Sequence, residues 1–440
     1  MPYLPLDEPD RRSIHDGALG VLEEVGLKAP RRLLERLRDA GLETDPASER
    51  LRLDRVSVEA ALRRAPRSLR LGARGEGHGL LLDGRRTHVA PDGCGARTVD
   101  LDTGAVRPAR LDDVAWSARL TDALPEFHLY WTMVSAQDVP RELRVASECL
   151  AALRNTVKHV QMIDVARPEE AEALCRMARV LNQEGLVEGP PLSALISVVS
   201  PLRIDPDGTD AALVLAGAGL PVVCCSMPIA SVTAPATPAG CLLLAHAECL
   251  AQIAILQTLH PGAPVIYCSF ACFADPRSGA TSYEDPRGAW TAAAAAQLGR
   301  SLGIPCFSSA GPLAMLVGPD LTSGGGLLET STLLAYEQLV IDGEAMRDAR
   351  LAAAIPGVDP ETLAEGVIRE VGPAGHFMSR KHTLRHIREF VVPRFAGAGR
   401  EAARREAARL LSSHQAPPLP PAVDAALSGI AEAPTRAAAR

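Results

Sequence analysis

The sequence predicts an α/β protein built around a TIM (β/α)8 barrel. Two observations predict it. From about residue 125 onward, six short apolar runs alternate with amphipathic helical stretches. Each run is apolar at successive positions rather than at every second one, as in strands buried on both faces. Such strands, separated by helices, form parallel sheets, and six or more units in a row favour a barrel over an open sheet. The chain has 440 residues, 47% of them hydrophobic, which is enough for a large core.

The first hundred residues read as helices followed by short strands. RRSIHDGALGVLEEVGL and PRRLLERLRDAGL place apolar residues at helical spacing, and each ends near a glycine. RLRLDRVSVEAALRRAP gives a short strand and a helix. The stretch LLLDGRRTHVAPDGCGARTVDLDTGAVRPA carries DG and DTG turns between short alternating runs, the pattern of hairpins. Residues 1–124 are therefore expected as an N-terminal helical and β-hairpin cap region.

The barrel is expected over residues 125–395. Its runs are FHLYWTMVS, KHVQMIDV, LSALISVVS, LPVVCCSMP, APVIYCSFACF and IPCFSSA, with helices between them. After the sixth run the rule breaks. Only about ten residues separate Ala310 from the next strand-like stretch near Asp320, where a parallel crossover normally takes a dozen or more. Either one short turn of helix makes this crossover, or the barrel is irregular near strands 6–7. GGGLLETSTLLAYEQLVIDGE then opens a long helix. Residues 396–440 are expected as a C-terminal helix, a Pro-rich strap and a tail.

Composition excludes several classes. The net charge is −7, and no Lys/Arg block is interleaved with aromatics, so neither nucleic acid nor an anionic membrane is an expected partner. MPYLPLDEPDRR lacks the apolar core of a signal peptide, and no apolar run is expected to reach the roughly 18 residues that a membrane span needs, so a cytoplasmic location is expected. The ten cysteines sit mostly within apolar runs and are expected as buried thiols.

Barrel chemistry sits at the C-terminal ends of the strands. Those ends offer Gln137, Asp138, Asp164, Ser200, Met227, Ser231, Thr233, Phe270 to Asp275, Ser308 and Ser309. MPIASVTAPATPAGCLLLAHAE (Met227–Glu248) places small residues and prolines between a buried strand and a helix. It reads as the floor of a pocket, with His246 and Glu248 as candidate catalytic groups just inside the helix. Of fifteen aromatic residues in the chain, Tyr267, Phe270, Phe273, Tyr283 and Trp290 lie close together after the fifth run. Aromatic faces attract quaternary ammonium ions, so the first four are candidate substrate-binding residues. HTLRH sets His382 and His386 four apart, with His376 six before. The Glu that metalloproteases carry next to the first His is missing, and CSFAC (Cys268, Cys272) is no zinc-ribbon spacing, so no metal site is expected. GGGLLE (Gly324 to Glu329) lacks the context of a nucleotide-binding loop.

Several long motifs carry a family likeness: SPLRIDPDGTDAALVLAGAGLPVV, MPIASVTAPATPAG, HPGAPVIY, GGGLLETSTLLAYEQLVIDGE and VIREVGPAGHF with HTLRHIREF. Together with IHDGALGVLEEVGLKAP near the N-terminus they resemble the trimethylamine/glycine betaine corrinoid methyltransferase family over nearly the whole chain. The resemblance implies a TIM barrel that moves a methyl group from a quaternary or tertiary methylated amine, glycine betaine-like, to Co(I). The corrinoid would ride on a partner protein, consistent with the lack of an Asp-x-His-x-x-Gly motif here. It implies a homo-oligomer by analogy, and a non-pyrrolysine member, since only standard residues occur. The shared motifs add Thr233, Thr237, Glu329, Tyr336 and His376 to the substrate-binding candidates. One departure accompanies the likeness. The family pattern Thr-Asp-x-Lys-x-x-Asp-x-Gln-Ala-x-Tyr-Glu after the sixth strand is absent, at the place where the crossover is short. A second reading is therefore a repurposed barrel that binds a cationic amine and performs C–N cleavage or rearrangement without a corrinoid.

Overall fold

The structure, a computed structural model, describes residues 4–282, 285–354, 357–389, 394–395 and 399–433. Eight parallel strands form one sheet: β1 (His88–Val89), β2 (Leu129–Trp131), β3 (His159–Met162), β4 (Leu192–Ser197), β5 (Val222–Ser226), β6 (Val265–Ser269), β7 (Cys306–Ser308) and β8 (Leu321–Thr322). Strands β2 to β8 pair in chain order, and β8 pairs with β1 through Leu321↔His88 and Thr322↔Val89. At the β1–β2 seam, His128 N donates to Val89 O at 2.8 Å, and Gly95 N to Met133 O at 2.9 Å. These bonds bring the sheet nearly to closure as a barrel.

Strand β1 lies inside the stretch expected to be only a cap, so that stretch also supplies a barrel strand. Asp92–Gly93, which reads as a hairpin turn, is instead the loop leaving β1. Two hairpins do form, Leu69–Leu71 with Leu80–Leu82, and Arg97–Val99 with Val106–Pro108. The first closes the lower end of the lumen. Its Leu69, Leu71, Leu80 and Leu82 join one apolar cluster with Leu129, Val223, Ile266, Phe307 and Leu321.

The helices of the barrel are α1 (Leu111–Ala123), α2 (Arg141–Asn155), α3 (Pro168–Gln183), α4 (Pro206–Gly217), α5 (Pro238–Leu259), α6 (Pro286–Ser301), α7 (Ala314–Val317) and α8 (Tyr336–Ala353). Helices α3 to α6 each begin on a proline, whose fixed φ suits a first helical position where no backbone donor is needed. Asp205, Thr237 and Asp285 cap α4, α5 and α6. Helix α5 is apolar nearly all round and long enough to cross a membrane. Its apolar stretch is mostly buried between the sheet and the N-terminal helix Glu8–Gly20, which accounts for that composition.

The short crossover between β7 and β8 is one tight turn followed by the single helical turn α7, and both strands keep their parallel register. The barrel therefore continues where an irregularity was one of the two expectations. At the C-terminus, helix Gly399–Ser413 packs on α8 and α1, and helix Pro421–Ala431 packs on α2 and α3. Arg154 holds that last helix with a bidentate pair to Asp424 at 2.7 and 2.9 Å.

Candidate active site

Strand alternation decides which side chains reach the lumen. On β5 and β6, Val223, Cys225, Ile266 and Cys268 belong to the lumen cluster, while Val222, Cys224, Val265 and Tyr267 belong to the helix-side core. Ser226 shares the helix-facing side of Val222 and Cys224. Glu248 accepts hydrogen bonds from Ser226 Oγ (2.5 Å), Ser200 Oγ (2.6 Å) and Leu202 N (2.7 Å). Its carboxyl is wholly buried between α5 and the sheet and does not open on the mouth. Burial pushes its pKa up, opposed by the three donors. His246 is equally enclosed, with Nδ1 3.0 Å from Tyr267 Oη and Nε2 3.0 Å from His15 Nδ1. Burial, with the His15 charge adding to it, holds His246 down near a pKa of about 3. Both candidates therefore occupy the helix layer. They tie the N-terminal helix, α5 and the strands together, away from the mouth where the sequence placed them.

The other candidates scatter for local reasons. Tyr267 is fully buried on the helix side, so close to α6 that a Cβ on Gly299 would stand 2.7 Å from its ring. Tyr336 begins α8 and donates to Asp113 Oδ1 at 2.8 Å, far from solvent. Phe273 lies in a small sheet over the ends of β5 and β6, where Arg287 already covers its ring at 5.1 Å. Thr233 accepts from Ile229 N within a turn, and Thr237 is an exposed helix cap. Glu329 pairs with Arg97 at 2.6 Å, and His376 is exposed on a later segment. Tyr283 lies outside the described residues.

Among the described candidates, Phe270 is the one proposed aromatic in the lumen cluster, and it finds partners that the sequence does not reveal. Its ring centroid is 5.8 Å from Trp131 and 5.2 Å from Phe307, and Trp131 and Phe307 are 5.4 Å apart. Trp131 pairs in register with Gln161 on β3, so both face inward. Trp131 Nε1 and both amide atoms of Gln161 are buried without a protein partner. Buried polar atoms are nearly always bonded, so three together mark a place for a polar guest.

The loops above this aromatic floor carry acids. Gly93 lets the loop leaving β1 lie on the Trp131 indole, where a Cβ would approach to 2.7 Å. That loop presents Asp92 and Cys94. Asp92 accepts from Ser331 Oγ at 3.2 Å, and burial raises its pKa to about 6. Its charged neighbour is Asp342, a second acid. Asp164, leaving β3, is open to solvent yet surrounded by protein at the mouth. Burial raises its pKa, against Arg144, which lowers it. Cys94 lies between them, its thiol pushed to about 11 by burial and by both aspartates.

Backbone strain concentrates at the same end. Seven of the ten non-glycine residues with positive φ among the described residues sit in loops leaving the C-terminal ends of strands: Cys94, Asp164, Leu202, Ser231, Glu329, Thr330 and Ser331. Left-handed residues cost about 1 kcal/mol or more each and collect at functional sites. The three consecutive ones deliver Ser331 to Asp92. The opposite end reads as stability. There Lys158 is buried and donates to Thr121 O (2.6 Å) and Leu124 O (2.9 Å), closing the end of α1 beside a cavity of about 260 Å³.

Behind the mouth, Glu148 on α2 is buried and accepts from Ala136 N at 2.7 Å. Burial is the main cause that raises its pKa to about 8. An acid whose folded pKa is raised stabilises the fold below its unfolded pKa, and that stability is lost as pH rises through the folded value. Glu148→Gln is expected to flatten the fall of Tm between about pH 4.5 and pH 8. Melting curves across that window check it, and an unchanged slope would count against it.

A nearly closed eight-stranded barrel with acids, aromatics and backbone strain at its C-terminal mouth defines a barrel enzyme. A profile of the trimethylamine methyltransferase (MTTB) family matches residues 1–320 and 320–433, meeting where the short crossover enters β8. Glycine betaine methyltransferase of Desulfitobacterium hafniense (strain Y51) is 31% identical, over 97% of this chain and 96% of its own. Trimethylamine methyltransferase MttB of Desulfitobacterium hafniense (strain DSM 10664 / DCB-2) is 29% identical, over 96% and 92%. The structure of a hydroxylamine complex of MtmB superposes with a TM-score of 0.52 at 12% identity, over 93% of this chain and 89% of the other, a likeness of fold alone. The chain belongs to the trimethylamine methyltransferase family, whose members are methyltransferases.

Proposed function

We propose that the protein transfers a methyl group from a quaternary methylated amine of the glycine betaine type, bound at the barrel mouth. The observation that carries this reading is the Trp131, Phe270 and Phe307 cluster with its unpartnered polar atoms, beneath the loop that presents Asp92 and whose Gly93 lies on the Trp131 indole. A half-buried acid whose charged neighbour is another acid favours a cationic guest, and aromatic faces favour a quaternary one. The donors of Trp131 Nε1 and Gln161 Nε2 suit the carboxylate that a betaine carries at its other end. A Co(I) corrin on a partner protein would supply the nucleophile that takes the methyl group. The residues of this chain bind the amine, exclude water and aim one methyl outward. A quaternary nitrogen already leaves readily, so orientation and desolvation are the main contributions asked of the barrel.

Non-corrinoid chemistry on the same cation is the second reading, suggested by the short crossover, and the family relationship favours methyl transfer over it. Mixing the protein with reduced cobalamin and a panel of methylated amines separates them. Conversion to methylcobalamin with a betaine is the expected result. No conversion with any amine, while one of them raises Tm, would support the second reading.

A further inference from the structure

Between α8 and helix Gly399–Ser413 the chain makes an excursion that builds three short helices: Pro360–Leu363, Glu365–Val371 and Lys381–His386. None of the described residues 357–388 is buried. Ile368, Met378 and Leu384 are each more than half exposed. Ordering a residue costs about 1–2 kcal/mol, and here only half-buried apolar residues such as Val367 and Val371 offset it. The ion pairs along the segment, such as Arg380 with Glu370, are exposed and contribute about 1 kcal/mol or less each. Some further group has to hold this shape.

A cluster of metal-ligating side chains sits at its centre. His382 and His386 lie one turn apart on one helix face, with ring centroids 4.4 Å apart. Glu361, from the first of the three helices, places Oε1 3.6 Å from His386 Nε2, while its carbonyl lies 3.0 Å from His382 Nε2. Ligand atoms of all three residues fall within 4.8 Å of one another. Sequence spacing could not find this set, because its carboxylate comes from 21 residues upstream and not from next to the first histidine.

We propose that Glu361, His382 and His386 form a binding site for a divalent transition-metal cation of the zinc type, which staples the excursion. Two imidazoles and one carboxylate are a zinc ligand set that leaves a fourth position for water. The metal would tie the first helix of the excursion to the last, supplying the order that a core supplies elsewhere. Arg385 Nη1 now shares the Glu361 carboxylate at 3.0 Å. It competes with the cation and moves into solvent, where most of its side chain already lies. This site is independent of the barrel mouth and of the reading proposed for it.

The test uses tag-free, chelator-stripped, full-length protein titrated with Co2+ as a visible probe and then with Zn2+, alongside hydrogen exchange. One equivalent of Zn2+ is expected to slow exchange across residues 357–388 at least tenfold. His382→Ala and His386→Ala should each weaken Zn2+ binding by at least about tenfold, and Arg385→Ala should tighten it. These residues are exposed or half-buried, so the variants are expected to fold. Glu361→Gln, which keeps the size of the side chain, gives a second check in the same direction. Zn2+ binding undiminished in the double histidine variant would overturn the proposal. So would exchange that ignores the metal and slows only as protein concentration rises, which would assign the exposed apolar residues to self-association.

Discussion

Asp92→Asn is expected to lower kcat/KM for a quaternary amine by about a hundredfold while the fold remains intact. Removing one partner of a buried charge pair costs about 2–5 kcal/mol, and the aromatic floor alone would hold the cation in its place. Asparagine keeps the shape and can still accept from Ser331 Oγ, which now bonds the carboxylate at 3.2 Å. The free protein should lose no stability, since the substitution removes an acid that burial makes costly to ionise. A pH profile sharpens the test. The free acid titrates near 6, so kcat/KM should rise through that value in the parent and lose the step in the variant. An unchanged kcat/KM and an unchanged profile would remove Asp92 from the site.

Glu248→Ala is expected to destabilise the protein by about 3–5 kcal/mol, a loss large enough to reduce soluble yield. It would strand Ser200 Oγ, Ser226 Oγ and Leu202 N, which all donate to the carboxylate now. It would also open a cavity in the fully buried middle of α5. Glu248→Gln separates positioning from catalysis. It keeps the volume and one accepting oxygen, so a positioning residue should retain most of its activity at a lowered Tm. An acid that takes part in chemistry would lose turnover at an unchanged Tm. Activity of the folded Gln variant measured beside its melting temperature decides between them, and the geometry predicts the first outcome.

These two residues also show where reading the sequence stopped. Glu248 stands out because an acid inside an apolar helix is rare, and the structure gives it three buried donors. Its direction was hidden, because strand register and helix rotation decide whether such an acid meets the lumen or the outer wall. The same applies to the aromatics after the fifth run. Their clustering is legible, but alternation sends Phe270 into the lumen and Tyr267 to the helices. Asp92 resembled a hairpin turn because Asp-Gly is a turn signal at short range, and only the pairing of β1 with β8 makes it a strand-end residue. Gln161 did leave a trace, as a lone amide inside the apolar run KHVQMIDV. A strand-end search that weighs such single polar residues would have found it.

The sequence by itself determined the alternation of strand and helix, the barrel, the short crossover and the family. Each of these rests on local periodicity, turn chemistry or long contiguous motifs, which neighbouring residues carry together. Tertiary structure alone decided that residues 88–89 complete the sheet, that Trp131, Phe270 and Phe307 meet, and that Glu361 joins His382 and His386. The physical reason is distance along the chain. A site gathers side chains from strand ends and helices tens to hundreds of residues apart. Which of them meet depends on register and facing, and these are fixed only when the whole core packs.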